Sequence, residues 1–236
     1  MQASKDMDIQ KKDISENTDS GRKKSGTHKM WLRAVAFAMV VLLLLVAAGK
    51  LCDPIRLGLQ DSVSERERYL LHLLSEPEDM VDVAVLGDSE SYTAVSAYQL
   101  WKDAGIASYI GGQSGQWIGE SYFSLKKILK RQSPKVVILE TNEFFSRGDA
   151  SVIRDAAKSA QELAQQMFPI LKYHRFWKME PADSKLQTTV FNGFQLRTAV
   201  APYTGGAYMH ATAEKTPVTF ITRYYLEKIK DLCDTH

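Results

Sequence analysis

An α/β fold, a three-layer sandwich on a parallel sheet preceded by one membrane-spanning helix, is what the sequence predicts. Three observations lead there. Short apolar runs rich in β-branched residues, at 81–86, 107–110 and 135–140, each end in a polar or glycine-rich turn. That is the pattern of strands buried on both faces of a parallel sheet. Helical periodicity fills the two intervals between them, so strand–helix–strand–helix–strand with right-handed crossovers follows. Upstream, residues 34–48 are unbroken apolar sequence.

From the start of the chain, residues 1–30 are polar, with Lys, Asp and Ser throughout, and are expected to form a disordered cytoplasmic leader. Counting Trp31 and Leu32 around Arg33 extends the apolar run to 31–49, near the lower limit of the roughly 17–25 residues of a membrane-spanning helix. Arg22, Lys23, Lys24, Lys29 and Arg33 precede it, and only Lys50 follows closely. The positive-inside tendency then sets the N-terminus in the cytoplasm and the rest of this single-pass chain outside the cell membrane. A cleaved signal peptide is the competing reading, on Ala47, Ala48 and Gly49; the long polar leader and the lack of an A-x-A site favour an uncleaved anchor. Cys52 follows the span in a poor lipoprotein context, and spacing alone does not say whether it pairs with Cys233. Residues 50–80 are charged, helix-compatible over 64–74 and closed by Pro77, and read as a stalk.

The α/β domain is expected to occupy 81–236. Ser96 caps a helix carrying Tyr98, Leu100 and Trp101 that Gly105 ends. A second helix, 117–131, has Ile118, Tyr122, Leu125 and Leu129 on one face and Lys126, Lys127 and Lys130 on the other. Residues 149–168 read as a mostly polar helix, and 172–215 lack clean periodicity, as an inserted lid or substrate wall would. Thr216 as N-cap and Pro217 at the first helical position open a last helix, 217–233, with Ile221, Tyr225, Ile229 and Leu232 on its apolar side. Three strands leave helical faces poorly covered, so the domain is expected to be the front part of a larger one.

Ligands collect beyond the carboxyl ends of parallel strands. The first run ends in Gly87-Asp88-Ser89, the second in Gly111-Gly112-Gln113-Ser114-Gly115, and the third in Glu140-Thr141-Asn142-Glu143. Singly, these read as a helix cap, an ordinary turn and a loop cap. Their order and placement resemble the SGNH (GDSL-type) hydrolase family over roughly residues 81–145. The resemblance implies a flavodoxin-like sandwich and an acyl-transfer site. Ser89 would be its nucleophile, with the Gly112 amide, the Asn142 carboxamide and the Ser89 amide as oxyanion donors. Such donors contribute on the order of 3–4 kcal/mol each.

The chain departs from the family pattern in four places. Glu90 stands for the leucine of GDSL, Glu140 and Glu143 for the Gly and Asp of G-x-N-D, and the late D-x-x-H block that supplies the base is missing. Asp231, Asp234 and His236 have the right types at the wrong spacing. A serine without a base is a weak nucleophile, and His174 and then His236 are the substitutes to consider.

Tyr173-His174-Arg175-Phe176-Trp177 interleaves rings with cations. It reads either as a loop packing its rings on the core or as a substrate wall, His174, Arg175 and Trp177 with Asp88 being the binding candidates. Similarity to membrane-anchored family members that modify surface polymers, among them the D-alanine-transfer proteins of teichoic-acid systems, implies an acylated cell-surface polymer or glycan as partner. The alternative is a non-catalytic glycan-binding or assembly module on the same scaffold. With 30 basic against 28 acidic residues there is no excess charge for nucleic acid. No zinc-type spacing or phosphate-cradling loop calls for a cofactor. Asp88, Glu90, Glu140 and Glu143 could gather as a metal or acid/base cluster, although carboxylates at strand ends are common without metal.

Overall fold

Four-residue β1 (Val83–Leu86) is the centre of a three-stranded parallel sheet of order β2-β1-β3, with β2 at Ser108–Ile110 and β3 at Val136–Leu139. The computed structural model describes residues 28–145, 152–173, 191–196, 202, 204, 205, 215 and 217–236. Val83 is registered with Ser108 on one side and Val136 on the other, and Leu86 with Leu139. The protein is thus α/β, with the strands where the apolar runs placed them, each a residue or two shorter.

Alternation along β1 splits the core. Ala84 and Leu86 face one cluster with Leu70, Leu73, Phe123, Leu125, Ile128, Tyr225 and Ile229. Val83 and Val85 face another with Tyr69, Tyr92, Ala97 and Ile110. Burial on both faces is why β1 tolerates no polar residue, and each fully buried aliphatic side chain contributes about 1.5–3 kcal/mol. On β3 only one face is covered: Val137 and Leu139 pack on the first cluster, while Val136 and Ile138 are exposed.

The helices follow from caps and stripes. Helix α1 (His28–Leu51) has a mean hydropathy of 2.5 and is long and apolar enough to cross a membrane. Asp88 caps α3 (Ser89–Ala94), its side chain accepting from Glu90 N at 2.9 Å. Ser96 caps α4 (Ala97–Ala104), and Gly105 ends it in the left-handed region. Its rings Tyr98 and Trp101 point outward. Helix α5 (Ile118–Ile128) covers the sheet, and Glu120 reaches back to accept from Trp117 N at 3.2 Å. Helix α6 (Val152–Met167) and one-turn α7 (Ile170–Tyr173) follow.

Three expectations change. The span read as a stalk contains α2 (Glu65–Ser75), whose Tyr69, Leu70, Leu71 and Leu73 are buried; its charges occupy one face and conceal an apolar stripe that belongs to the domain. The last helix, α8 (Phe220–Thr235), is capped by Thr219, which accepts from Thr222 N at 3.1 Å, rather than by Thr216. On α5, Lys126 and Lys130 are exposed as expected, whereas Lys127 is withdrawn among other elements. Of the irregular stretch 172–215, residues 191–194 lie along the free edge of β2, Asn192 O accepting from Ile110 N at 2.8 Å. The two cysteines are free, Cys52 buried and Cys233 exposed.

Candidate functional site

All three parallel strands end at one edge of the sheet, and the residues just beyond them meet there. Gly87 makes the turn out of β1 at φ +152°, and a Cβ on it would lie 2.4 Å from Glu140 Cβ. Only glycine lets the β1 and β3 exits pass that closely. Asp88 is buried; one carboxylate oxygen caps α3 and the other accepts from Asn142 Nδ2 at 2.7 Å. Ser89, next in the chain, is half-buried in the first turn of α3, and its carbonyl accepts from Thr93 Oγ1 at 2.9 Å.

Gly112 is held flush against this turn. A Cβ on it would meet Ser91 Oγ at 2.0 Å and Gly87 O at 2.8 Å. The amides of Gly111 and Gln113 both donate to β1, at Val85 O and Gly87 O. In a parallel ladder alternate amides point to the same neighbour, and the intervening Gly112 N–H is not among the donors to these carbonyls. The glycine that lines the cleft beside Asp88 and Asn142 is Gly115.

That cleft has a volume of about 380 Å³ and is walled by Trp117, Glu143, Arg154, Asp155, Lys158 and Thr222 in addition to Asp88, Gly115 and Asn142. Thr222 brings in the N-terminal end of α8, and its hydroxyl donates to Phe144 O at 3.4 Å. Lys158 Nζ stands 5.8 Å from the Trp117 ring centroid. At the cleft floor a polar chain runs from Gln116 Nε2 to Ser121 Oγ at 2.5 Å, and from Ser121 Oγ to Glu143 Oε2. Burial pushes the Glu143 carboxyl up to about 8, against the lowering effect of the Ser121 hydrogen bond. It is mostly a neutral acid at neutral pH. Glu143 Oε1 and Gln116 Oε1 are buried with no partner among the described residues.

Of the carboxylates expected to gather, Asp88, Glu90 and Glu140 bring one oxygen each within 4.8 Å of one another. Glu143 turns inward to Ser121 instead. Glu140 accepts from Asn142 N at 2.5 Å, and desolvation, then the charges of Asp88 and Glu90, raise its pKa.

No described histidine reaches this edge. His72, in the last turn of α2, bonds Asp61 at 2.7 Å. His236 is the last residue of the chain, at the C-cap of α8, about 21 Å from Thr222 at 1.5 Å per residue. It is therefore no substitute base in this arrangement. His174, Arg175 and Trp177 lie outside the described residues. Sequence reading missed Gln116, Ser121, Asp155 and Lys158. Gln116 precedes α5, Ser121 lies on α5, and Asp155 and Lys158 lie on α6, where helical periodicity marks only the apolar side. Gln116, Ser121 and Asp155 are buried and Lys158 is exposed, and their place at the cleft appears only when the elements are packed together. Comparison with family models, curated proteins and solved structures returns no match to this chain.

Proposed function

We propose that the protein is a membrane-anchored, extracellular acyl-transfer protein of SGNH type, an O-acyl esterase or acyltransferase acting on a cell-surface polymer or glycan. The carrying observation is the Asp88–Asn142 bond beside Ser89 at the shared strand edge. Asn142 Nδ2 has two N–H groups. Asp88 takes one and thereby fixes the carboxamide, which leaves the second to meet an oxyanion formed at Ser89. In the step proposed, the Ser89 Oγ–carbonyl bond forms, the ester C–O bond breaks, and the Ser89 proton leaves with the departing alcohol. Water or an acceptor hydroxyl then takes the acyl group by the reverse sequence. The cleft next to it offers Trp117 for stacking and hydrogen-bonding groups for hydroxyls, which suits a glycan.

The test is acyl release from an O-acylated surface polymer by the full-length protein in membranes, compared with Ser89→Ala. Equal release by the two would end the esterase reading.

A second reading, a non-catalytic glycan-binding module, is favoured by one observation: among the described residues, no histidine stands near Ser89. Polymer binding that survives Ser89→Ala, without acyl release by either form, is its signature.

A further inference from the structure

Where α1 leaves its apolar stretch it is fixed against the domain. Cys52 is buried, and Gly49 packs so closely on Pro169 that a Cβ there would lie 2.8 Å from the proline ring. A pocket of about 370 Å³ occupies this junction, between the last turns of α1 and the helices α2, α5, α6 and α7. Three of its lining residues belong to α1: Val46, inside the apolar run, Gly49 at its end, and Lys50, just past it. The pocket thus straddles the level at which a spanning helix passes from hydrocarbon to headgroups, its 24 residues covering about 36 Å against a core of about 30 Å.

Its charged lining is cationic on balance, Lys50, Lys127 and Lys172 against the one carboxylate Asp53. Lys127 lines the pocket from α5, and among the described residues no carboxylate lies within ion-pair distance of it. Burial, and then the neighbouring Lys172, pull its pKa below the ordinary lysine value. Lys172 is itself held by Glu67 at 3.0 Å. Glu162 and Glu67 act on Lys127 from beyond ion-pair distance and only partly offset these effects. Gln166 Nε2, which lines the same pocket, is a buried donor with no acceptor among the described residues. A partly buried ammonium without a directly paired carboxylate is costly, and a phosphate beside Lys50 and Lys127 would relieve it while accepting from Gln166.

We propose that this junction binds the phosphate of an anionic membrane phospholipid, with Lys127 and Lys50 as its cationic contacts and Gln166 as a donor. The proposal rests on α1 spanning a bilayer.

The experiment uses the full chain reconstituted in nanodiscs of phosphatidylcholine alone, or of phosphatidylcholine with phosphatidylglycerol, and reads thermal unfolding. The anionic lipid is expected to raise Tm. Lys127→Met should remove the increment, Lys50→Gln should reduce it, and Lys126→Gln, an exposed neighbour on the same helix, should leave it intact. Lys50→Gln keeps the test open if Lys127→Met does not fold. Equal Tm in both lipids overturns the proposal, as does an increment that Lys126→Gln lowers as much as the other two. Inorganic phosphate added to the phosphatidylcholine discs is the free-anion arm, and a rise matching that of the anionic lipid would exclude the lipid as the source. Protein that fails to stay with the discs would instead refute the anchor on which the proposal rests.

Discussion

The Asn142 carboxamide donates to the buried Asp88 carboxylate at 2.7 Å, tying the residue that follows β3 to the residue that follows β1. Asp88 also caps α3, so one carboxylate sets both the start of the helix bearing Ser89 and the orientation of Asn142. Hydrogen bonds to a charged group contribute about 1.5–3 kcal/mol. Asn142→Ala is expected to lower stability by about that amount in urea unfolding. Asn142→Asp should cost more at neutral pH, because two carboxylates then face each other, and should recover on acidification as one is protonated. A wild-type midpoint in both variants would show that the bond carries no weight.

Gly112→Ala tests the close approach of the second strand exit. The new methyl meets Ser91 Oγ, which can rotate, and Gly87 O, which cannot. A loss of about 3 kcal/mol is expected, at the upper end of overpacking costs. Removing the hydroxyl as well, in Gly112→Ala with Ser91→Ala, should restore part of it. Gly115→Ala meets nothing within 4 Å and should cost only the strain of its φ of +64°, about 1–2 kcal/mol. Losses ranked the other way would mean the Gly112 backbone does not lie against Gly87.

Leu73→Ala separates a stalk from a domain element. Leu73 has no exposed surface and packs with Leu86 and Ile128. A cavity there is expected to cost about 2–5 kcal/mol of domain stability. An unchanged unfolding midpoint would return α2 to the stalk.

Glu143 makes a pH prediction. Its folded pKa of about 8 stands above the 4.5 of a free glutamate. The folded state therefore keeps a proton that the unfolded chain has lost. Stability from this group is full below about pH 4.5, declines as pH rises, and is gone above about 8. Glu143→Gln should flatten the decline. Glu120 and Glu140 are shifted the same way, chiefly by desolvation, so a shallower slope should remain. An undiminished slope in Glu143→Gln would place the titrating group elsewhere.

Legibility in the sequence followed the physics of each element. The strands at Val83–Leu86 and Val136–Leu139 were readable because burial on two faces demands uninterrupted β-branched residues. The α4 caps, Ser96 and Gly105, were readable because capping is local. Helix α2 was not, since its core stripe is hidden among Glu65, Arg66, Glu67 and Arg68, and only the packing reveals which side is inward. For the site, Asp88, Ser89 and Asn142 fall where strand ends required. Glu143 turning to Ser121, Lys127 withdrawing into a pocket and Gly115 lining the cleft depend on contacts between elements distant in sequence.

Reactivity of Ser89 is the most direct test of an acyl-transfer site at this edge. The full-length protein in membranes is exposed to a fluorophosphonate probe, and the adduct is mapped by peptide mass spectrometry in wild type and Ser89→Ala. On the proposed acyl-transfer reading, with no described base beside it, Ser89 should label slowly but selectively, and the adduct should vanish in Ser89→Ala. No adduct on Ser89 after long exposure, or labelling spread equally over other serines, would contradict a nucleophile at this position.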